Sequence, residues 1–248
     1  MQAPDATVAL LRPFGEAEDL DVDFGDTDRP ALVTALLARC VAPYDATFWW
    51  SRGVGARIAM LLRLMAATAR CRSVELSSGC QHCAVIFEFE LPIDRLVDQK
   101  SADDDDLIDV VLAEARHVVL RRPTGEDQRA WRASLDPATG DAIATMLEAL
   151  RVRGAPQAGD VTAIAQVLSE HDPLVDFSVQ CDCPACGAPN EVSVDLEGFA
   201  ITRLRARQRA LLRDVHDFAR HYGWTEGQTL AVPPQRRALY RALIEESA

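Results

Sequence analysis

The sequence predicts an α+β fold in which a β module is split by a helical insertion and flanked by helical regions at both ends. Apolar residues recur at i, i+3, i+4 and i+7 near the N-terminus and again from Phe199 onward, as in amphipathic helices. Two Cys-x-x-Cys pairs, Cys80/Cys83 and Cys183/Cys186, each lead into alternating apolar and polar residues, as in half-buried strands. With 248 residues, 48% of them hydrophobic, the chain can bury a core, which excludes a wholly disordered protein.

Charge and patterning exclude further classes of protein. The chain has 26 basic and 38 acidic residues, a formal net charge of −12, and Lys100 is its only lysine. This balance argues against a protein that coats DNA, which needs a basic surface. The N-terminus lacks a signal-peptide pattern, and no uncharged apolar run approaches the ~18 residues of a membrane span. We therefore expect a cytoplasmic protein with no membrane partner, where Cys-x-x-Cys indicates metal or redox chemistry before a disulfide.

The acidic excess is concentrated at one end of the chain. Residues 1–28 hold eight acids against Arg12 alone, which predicts a solvated, flexible arm. A short docking segment around Leu10, Leu11 and Phe14 is the alternative. Residues 199–248 hold nine arginines against five acids. A chain with one acidic end and one basic end suits a protein that brings partners together.

Residues 29–72 are predicted to be a helical region. Pro30 suits a first helical turn, and two stripes at helical spacing follow it. The stripes are Val33, Leu36, Leu37 and Cys40, then Ile58, Leu61, Leu62 and Met65. A loop over 42–55 separates them and carries the aromatic run 48–50. For this run we favour burial in the core over an exposed partner site.

Residues 73–198 are predicted to form the split β module, with an insertion over 100–173. Strands are expected where Phe87, Phe89 and Leu91, and later Val175, Phe177 and Val179, alternate with other residues. The insertion is predicted to begin with a helix capped by Ser101 and Asp104, with a stripe of Ile108, Val111, Leu112 and Ala115. A strand over 117–120 and a helix from Pro123 to Arg132 are expected next. A further helix begins at Asp136 and is expected to bury Ile143, Met146, Leu147 and Leu150. A loop over 153–159 and a helix from Asp160 to Glu170 complete the insertion. The acidic run 103–106 suits a helix N-terminus, with a divalent-cation site as the alternative.

Residues 199–248 are predicted to form a helical tail. A long helix carries Leu204, Leu211, Val215, Phe218 and Tyr222 on one side. Gly223 is expected to end this helix, and Thr225 with Gln228 forms a capping box for a short one. Pro233 and Pro234 break the short helix, and a last helix is expected from Gln235 to Glu245.

The two cysteine pairs belong to an internal repeat with an offset of 103 residues and no gap. Two thiolates two residues apart can reach one ion, and a closed zinc site takes four ligands in tetrahedral geometry. The simplest site is therefore one structural Zn²⁺ held by Cys80, Cys83, Cys183 and Cys186. This arrangement predicts a zinc ribbon whose halves are separated by the insertion.

Other interpretations of the cysteines stay open. The spacing far exceeds the ~15–20 residues of a simple ribbon, so the pairs could be vestigial, metal-free knuckles. Cys71 and Cys181 are possible substitute ligands, and His82 is expected to be exposed rather than a ligand. A thioredoxin-like redox role is disfavoured, because both pairs lead into strands rather than opening a helix.

No catalytic constellation is recognisable, so we expect a protein that is not an enzyme. The phosphate-binding, dinucleotide-binding, zinc-protease and nucleophile-elbow motifs are absent. His216 and His221 are five residues apart, which does not place them on one helix face. Arginines at the start of the long helix could indicate nucleic-acid binding. A solvated face or a protein partner is preferred, because that stretch has no aromatic residues to stack on bases.

The segment 215–244, VHDFARHYGWTEGQTLAVPPQRRALYRALI, resembles the C-terminal tail of the T4-type baseplate hub assembly chaperone family of contractile phage tails and related injection systems. The matching positions are His216, Ala219, Tyr222, Gly223, Trp224, Thr225, Leu230, Arg236, Arg237, Tyr240, Leu243 and Ile244. Upstream, the two knuckles, the stretch 120–124 (LRRPT) and the basic, leucine-rich stretch 53–65 also resemble the family. The departures are a first knuckle without Pro or Gly, Gly227 and Gln228 in the tail, and the acidic arm.

The resemblance implies a non-enzymatic chaperone or minor structural component of a contractile baseplate hub. It implies hub or spike proteins as partners. The acidic charge balance and the lack of stacking aromatics disfavour nucleic acid as a partner, and a zinc-ribbon nucleic-acid-binding regulator is the alternative. The expected partner-binding residues lie at a C-terminal helix–turn–helix corner, with the acidic arm as a further surface. They are Tyr222, Trp224, Leu230, Arg236, Arg237 and Tyr240. Equally, this corner could be the tail's own small core with Arg236 and Arg237 as its exposed edge.

Overall fold

A computed structural model describes residues 9–98, 107–134 and 142–246. Within these ranges the protein is α+β, as predicted, with ten α-helices and nine short strands in four small antiparallel sheets. The helices are α1 (Arg29–Cys40), α2 (Ala46–Ser51), α3 (Val54–Ala69), α4 (Ile93–Asp98), α5 (Gly125–Ser134), α6 (Ala142–Leu150), α7 (Val161–His171), α8 (Leu196–Tyr222), α9 (Glu226–Ala231) and α10 (Pro234–Glu246). The strands are β1 (Leu10–Leu11), β2 (Val41–Ala42), β3 (Ser73–Gly79), β4 (Ile86–Pro92), β5 (Ile108–Val111), β6 (His117–Leu120), β7 (Arg151–Arg153), β8 (Ser178–Asp182) and β9 (Pro189–Ser193). None of the helices in the described ranges is long and apolar enough to cross a membrane.

The main core lies where α1, α3 and the first half of α8 pack together, and we call this part the helical body. Asp28 caps α1 by accepting a hydrogen bond from the Ala31 N–H at 3.0 Å, and Pro30 occupies the first turn. Both predicted stripes are confirmed, since every one of their residues is at most 4% exposed. The periodic apolar pattern of the sequence thus becomes the buried face of the body.

The N-terminal segment differs from the expected solvated arm from residue 9 onward. Phe14, Val22 and Phe24 are buried in the main core, and Asp19 is fully buried in an ion pair with Arg12 at 2.7 Å. The other acidic residues between them, Glu16, Glu18, Asp21 and Asp23, face solvent. The high density of acidic residues in the sequence therefore concealed the apolar positions. The docking alternative therefore describes Phe14 correctly, whereas Leu10 is 70% exposed.

A short helix occupies the region where the sequence predicted only a loop. Asp45 caps α2 by accepting from the Phe48 N–H at 2.9 Å. Trp49 is 3% exposed and belongs to the main core, which confirms burial for this member of the aromatic run. Trp50 is half-buried, with the guanidinium carbons of Arg57 and Arg129 at 5.2 and 4.8 Å from its ring.

The insertion has its own core and is not purely helical. Strands β5, β6 and β7 form one sheet against α6 and α7. The helix predicted around Ile108 is wrong: Ile108 and Val110 are each 1% exposed while Val111 is 64% exposed. That alternation is the period of a strand, and it outweighs the helical spacing that the sequence also contains. The predicted cap at Ser101 and Asp104 and the acidic run 103–106 lie outside the described residues.

Other elements of the insertion match more closely. The strand over 117–120 is confirmed as β6, and α5 and α7 lie within a few residues of their predicted ranges. Leu147 and Leu150 are buried on α6, but Ile143 is 55% exposed, against the prediction. Strand β7 was missed, and Asp136, the predicted start of α6, lies outside the described residues.

Two points of the insertion, one in its interior and one near its end, meet the start of α3. The Val54 N–H donates to the Pro123 carbonyl at 2.9 Å, next to the N-terminus of α5. The Gly55 N–H donates to an oxygen of Asp172 at 3.2 Å, just after α7. The insertion is therefore fixed to one helix of the body at two points, between β6 and α5 and again just after α7.

The C-terminal tail follows the sequence closely. Helix α8 begins with Asp195 as its cap and ends at Gly223, whose φ of 69° lies in the left-handed region. Thr225 and Gln228 form the predicted capping box of α9, and α10 starts at the predicted proline break. Before β8, however, Val175 is 48% exposed and outside any strand, so the strand begins later than its alternation suggested.

Candidate metal centre

Two β-hairpins each carry one Cys-x-x-Cys turn at their tip. Strand β3 pairs with β4 up to Gly79 and Ile86, and β8 pairs with β9 up to Asp182 and Pro189. These last pairs are themselves related by the 103-residue offset of the sequence repeat. The repeat is therefore a duplicated hairpin, and we call the two copies together the paired hairpins.

The four predicted ligands converge on one point. Their ligand atoms all lie within 4.8 Å of one another, and the Sγ–Sγ distance is 3.7 Å for both Cys80–Cys186 and Cys83–Cys183. A disulfide requires about 2.05 Å, so neither pair is bonded. Zinc–thiolate bonds of about 2.3 Å in a tetrahedron place sulfurs about 3.8 Å apart. The cluster thus has the separation that a tetrahedral ion such as Zn²⁺ requires.

Matching backbone turns shape both knuckles. The two turns share the same hydrogen bonds, which are Cys80 N–H to Val85 O at 2.9 Å, Ala84 N–H to Cys80 O at 2.9 Å, Cys183 N–H to Ala188 O at 2.9 Å, and Gly187 N–H to Cys183 O at 2.8 Å. Ala84 and Gly187 occupy equivalent left-handed positions, with φ of 59° and 70°. Glycine adopts this conformation without steric cost whereas alanine does not. The first knuckle therefore keeps the geometry of the second despite lacking its glycine.

Electrostatics within the cluster favour a bound cation. The backbone N–H groups of Cys83 and His82 point at the Cys80 sulfur and lower its pKa to about 6. The N–H of Ala188 acts in the same sense on Cys186, but desolvation and the three other sulfurs raise the pKa of that thiol to about 12. Four neighbouring thiols cannot all lose their protons unless a positive charge lies between the resulting thiolates. A divalent ion would remove this conflict.

Little apolar packing supports the site. Cys80 and Cys183 are buried beside Phe87, with Phe89 and Val192 partly buried around them. Cys83 and Cys186 face solvent. The hairpins share this small cluster rather than a continuous core, so the four sulfurs form the centre of the unit.

A buried asparagine joins the two knuckles. Asn190 is 1% exposed, accepts from the Gln81 N–H at 2.9 Å and donates to the Ala188 carbonyl at 2.8 Å. It thereby satisfies one group in each turn. The sequence analysis missed this residue, because nothing in a strand of alternating residues marks one asparagine as buried.

The remaining cysteines and His82 lie outside the cluster. Cys71 and Cys181 contribute no ligand atom to it, so the structure does not use either as a substitute. Cys40 is buried in the main core, where desolvation raises its pKa to about 12. His82 is exposed and is not a member of the cluster, as predicted.

The predicted partner-binding residues gather at the turn between α8 and α10. Tyr222, Trp224 and Tyr240 pack around Phe218, with the Trp224 and Tyr240 ring centroids 5.0 Å apart. Leu230 is half-buried and Arg236 is exposed. We call the six predicted residues together the C-terminal corner.

One of the six is not at the surface. Arg237 is 3% exposed and its Nε lies 3.6 Å from an oxygen of Asp214, so it is not part of an exposed polar edge. Asp214, itself 3% exposed, also pairs with Arg241 at 3.2 Å. Asp214 lies within the apolar stripe of α8, between Leu211 and Phe218. A charged residue within an apolar stripe is the sequence signal that could have predicted this buried ion pair.

We compared the chain with protein-family models, curated proteins and solved structures, and none of them matches it.

Proposed function

We propose that this chain is an assembly factor or minor structural component of the baseplate hub of a contractile tail-like particle, and that it acts by protein–protein binding rather than catalysis. Its scaffold in this proposal is a zinc ribbon split by the insertion, with one structural Zn²⁺ at the four cysteines. The resemblance of segment 215–244 to the hub assembly chaperones supplies the biological role. The C-terminal corner supplies the surface that binds the partner protein in this proposal.

The observation that carries the proposal is the surface of this corner. Tyr222 is 39% exposed, and α10, which carries Tyr240 of the corner, also presents Leu239 and Leu243, one helical turn apart and 67% and 52% exposed. Beneath them the aromatic cluster and the Asp214–Arg237 pair fix the helix in place. A rigid apolar strip presented by a short helix suits docking into a groove of a partner. Aromatic anchors and arginine are the residues that contribute most at such interfaces.

The site at the four cysteines supports a structural rather than a catalytic metal. All four candidate ligands are thiols, so a tetrahedral ion bound there has no open position for substrate or water. The ion would hold together two hairpins whose own apolar cluster is small. This role leaves recognition to other surfaces of the chain.

Co-expression with the cognate hub and spike proteins tests the proposal. We expect a complex that survives size-exclusion chromatography and is lost in a Leu239→Glu/Leu243→Glu variant. The matched control is Val111→Glu/Ile143→Glu, the same double change at two apolar residues of the insertion that are 64% and 55% exposed. Failure of the wild-type protein to bind either partner would refute the proposal.

A zinc-ribbon nucleic-acid-binding regulator is the second candidate, and one observation favours it. Exposed arginines follow one face of α8, the helix that leaves the second hairpin. This candidate predicts an oligonucleotide mobility shift at low salt that weakens as salt is added and is lost on changing Arg205 and Arg209 to alanine. The absence of any shift with DNA or RNA at low salt would dismiss it.

A further inference from the structure

The outward face of α8 carries a row of arginines at helical spacing. Arg205, Arg209 and Arg213 stand at i, i+4 and i+8, so they form one ridge with about 6 Å between neighbours. The ridge continues through the exposed residues His216 and Arg220. We call these five residues the basic ridge.

These arginines have no partner within the part of the chain that the structure describes. Several arginines elsewhere form ion pairs: Arg12 pairs with Asp19, Arg116 with Asp160, and Arg121 with Asp127. No side-chain ion pair or hydrogen bond within the described ranges involves the four arginines of the ridge. The chain therefore concentrates free guanidinium groups on this face.

The acidic residues of α8 do not offset the ridge. Asp214 is buried against α10, and Glu197 is turned toward Arg29 at 3.1 Å. Asp217 is half-buried. In a protein of net charge −12 the outward face of this helix is thus a locally positive surface. Such a surface attracts an acidic partner and disfavours basic ones.

The face also offers apolar contact along its length. A shallow groove of about 640 Å³ is lined by Thr202, Arg205, Ala206, Arg209, Leu212 and Arg213. Leu212 is 44% exposed in this groove although it belongs to a helix whose other leucines, Leu196, Leu204 and Leu211, are buried. An exposed leucine beside a row of cations suits a helix with leucines on one row and acids on the next.

We propose that the basic ridge is a docking surface for an acidic amphipathic helix of a partner protein. Glutamates one turn apart on the bound helix face the arginines, and apolar residues beside them contact Leu212 and Ala206. Arginine forks are well suited to carboxylates. A protein helix fits better than nucleic acid here, because the ridge contains no Phe, Tyr or Trp for stacking and the chain has a net charge of −12. The surface is separate from the C-terminal corner, so this inference goes beyond the proposed function.

Binding of a designed peptide tests the inference without any hub protein. The probe is a fluorescein-labelled helical peptide with glutamate at every fourth position and leucines on the adjacent row; the comparison peptide has glutamine in place of glutamate. We expect saturable anisotropy for the glutamate peptide, weakening as salt is raised. In the variant Arg205→Glu/Arg209→Glu/Arg213→Glu, the affinity should fall about tenfold or more.

A matched variant separates the ridge from net charge. Arg72→Glu/Arg95→Glu/Arg153→Glu makes the same charge change at three other exposed arginines and should bind like the wild type. Far-UV circular dichroism and thermal melting confirm that both variants are folded. Equal binding of the glutamine peptide, or equal weakening by both triple variants, would overturn the inference.

Two other occupants are outcomes of the same experiment. An oligonucleotide duplex that binds more tightly than the peptide, and only to the intact ridge, would overturn the inference in favour of nucleic acid. Concentration-dependent dimers in sedimentation that vanish in the ridge variant would overturn it in favour of a second copy of this chain. If the hub complex forms equally well with the ridge variant, the function proposed for the C-terminal corner stands independently of this result.

Discussion

The helical body buries three helices against one another with fully enclosed residues such as Leu37, Leu61 and Leu64, whereas the paired hairpins enclose little beyond Phe87 and their cysteines. Apolar burial is non-directional and spread over many contacts. A four-thiolate centre is directional and depends on every ligand. The two regions should therefore respond to different perturbations, the helical body to loss of apolar packing and the paired hairpins to loss of a thiol.

The largest effect is expected from loss of one thiolate. Cys183→Ser should reduce bound zinc from about one equivalent to less than half, because it removes one of the four ligands. It should also destabilise the hairpins, since structural zinc contributes on the order of 10 kcal/mol in small metal sites. The hairpin amides should lose protection from hydrogen exchange while the helical signal in circular dichroism remains. Elemental analysis in reducing buffer, together with hydrogen exchange, measures both effects.

Cys71→Ser is the control for this experiment, because Cys71 lies outside the cluster. It should keep a full equivalent of zinc. Full zinc occupancy in Cys183→Ser would contradict a four-thiolate site. Less than half an equivalent in the wild-type protein would contradict an occupied site altogether.

The opposite perturbation is a cavity in the core of the helical body, which leaves the four thiols unchanged. Leu61 is completely buried, so Leu61→Ala should lower the free energy of unfolding by about 2–5 kcal/mol. Zinc content should not change, because the residue is not part of the hairpin cluster. Urea unfolding followed by circular dichroism gives the first quantity and elemental analysis the second. Leu239→Ala, at a 67% exposed leucine, should stay within about 0.5 kcal/mol of the wild type.

A smaller effect is expected at the one buried ion pair of the N-terminal segment. Burial alone would raise the pKa of Asp19, but Arg12 and the N–H groups of Gly15 and Glu16 outweigh it and lower that pKa. Asp19→Asn should therefore destabilise the protein at neutral pH by about 1.5–3 kcal/mol. Urea unfolding at a series of pH values measures this loss.

The pH dependence has a definite sign. A carboxylate with a depressed pKa in the folded state stabilises the fold above its unfolded value of 3.8, and loses this contribution as the pH falls through the folded value. The difference between wild type and Asp19→Asn should hence shrink below about pH 4. Asp21→Asn, at an exposed position, should match the wild type throughout. A difference that grows on acidification would contradict the ion-pair account.

The smallest effect concerns the turn where the two knuckles differ. Ala84→Gly relieves a left-handed alanine and should stabilise the metal site by up to about 1 kcal/mol. Gly187→Ala should cost about 1 kcal/mol, from backbone strain alone, since no atom lies within 4 Å of the added methyl. Competition with a chelator of known affinity measures both changes. Weaker metal binding in Ala84→Gly would argue against strain at the first knuckle.

The elements that could be predicted from the sequence are those in which one local signal dominates. The stripes of α1 and α3, the capping box of α9 and the left-handed Gly223 each follow from a few adjacent residues. The four cysteines could be grouped because a repeat at a constant offset places them at equivalent points of equivalent hairpins.

The remaining features depend on partners distant in sequence. Ile108, Val111 and Leu112 satisfy a helical spacing and Ile108, Val110 and Leu112 a strand spacing, and the choice is made by pairing with β6. Arg237 looks like a surface residue until Asp214 is seen to face it from α8. The acidic N-terminal segment docks because Phe14, Val22 and Phe24 find a core built by later residues.

The separation of the two knuckles sets an order of events during biosynthesis. A nascent chain leaves the ribosome from its N-terminus, so Cys80 and Cys83 are available 103 residues before Cys183 and Cys186. The ribosome must complete β5, β6 and α7, with the second core they enclose, before the last two thiols exist. The four-sulfur centre can therefore close only late, after residues 100–173 have been translated. A metal ion that needs all four sulfurs could therefore bind only after translation has passed residue 186.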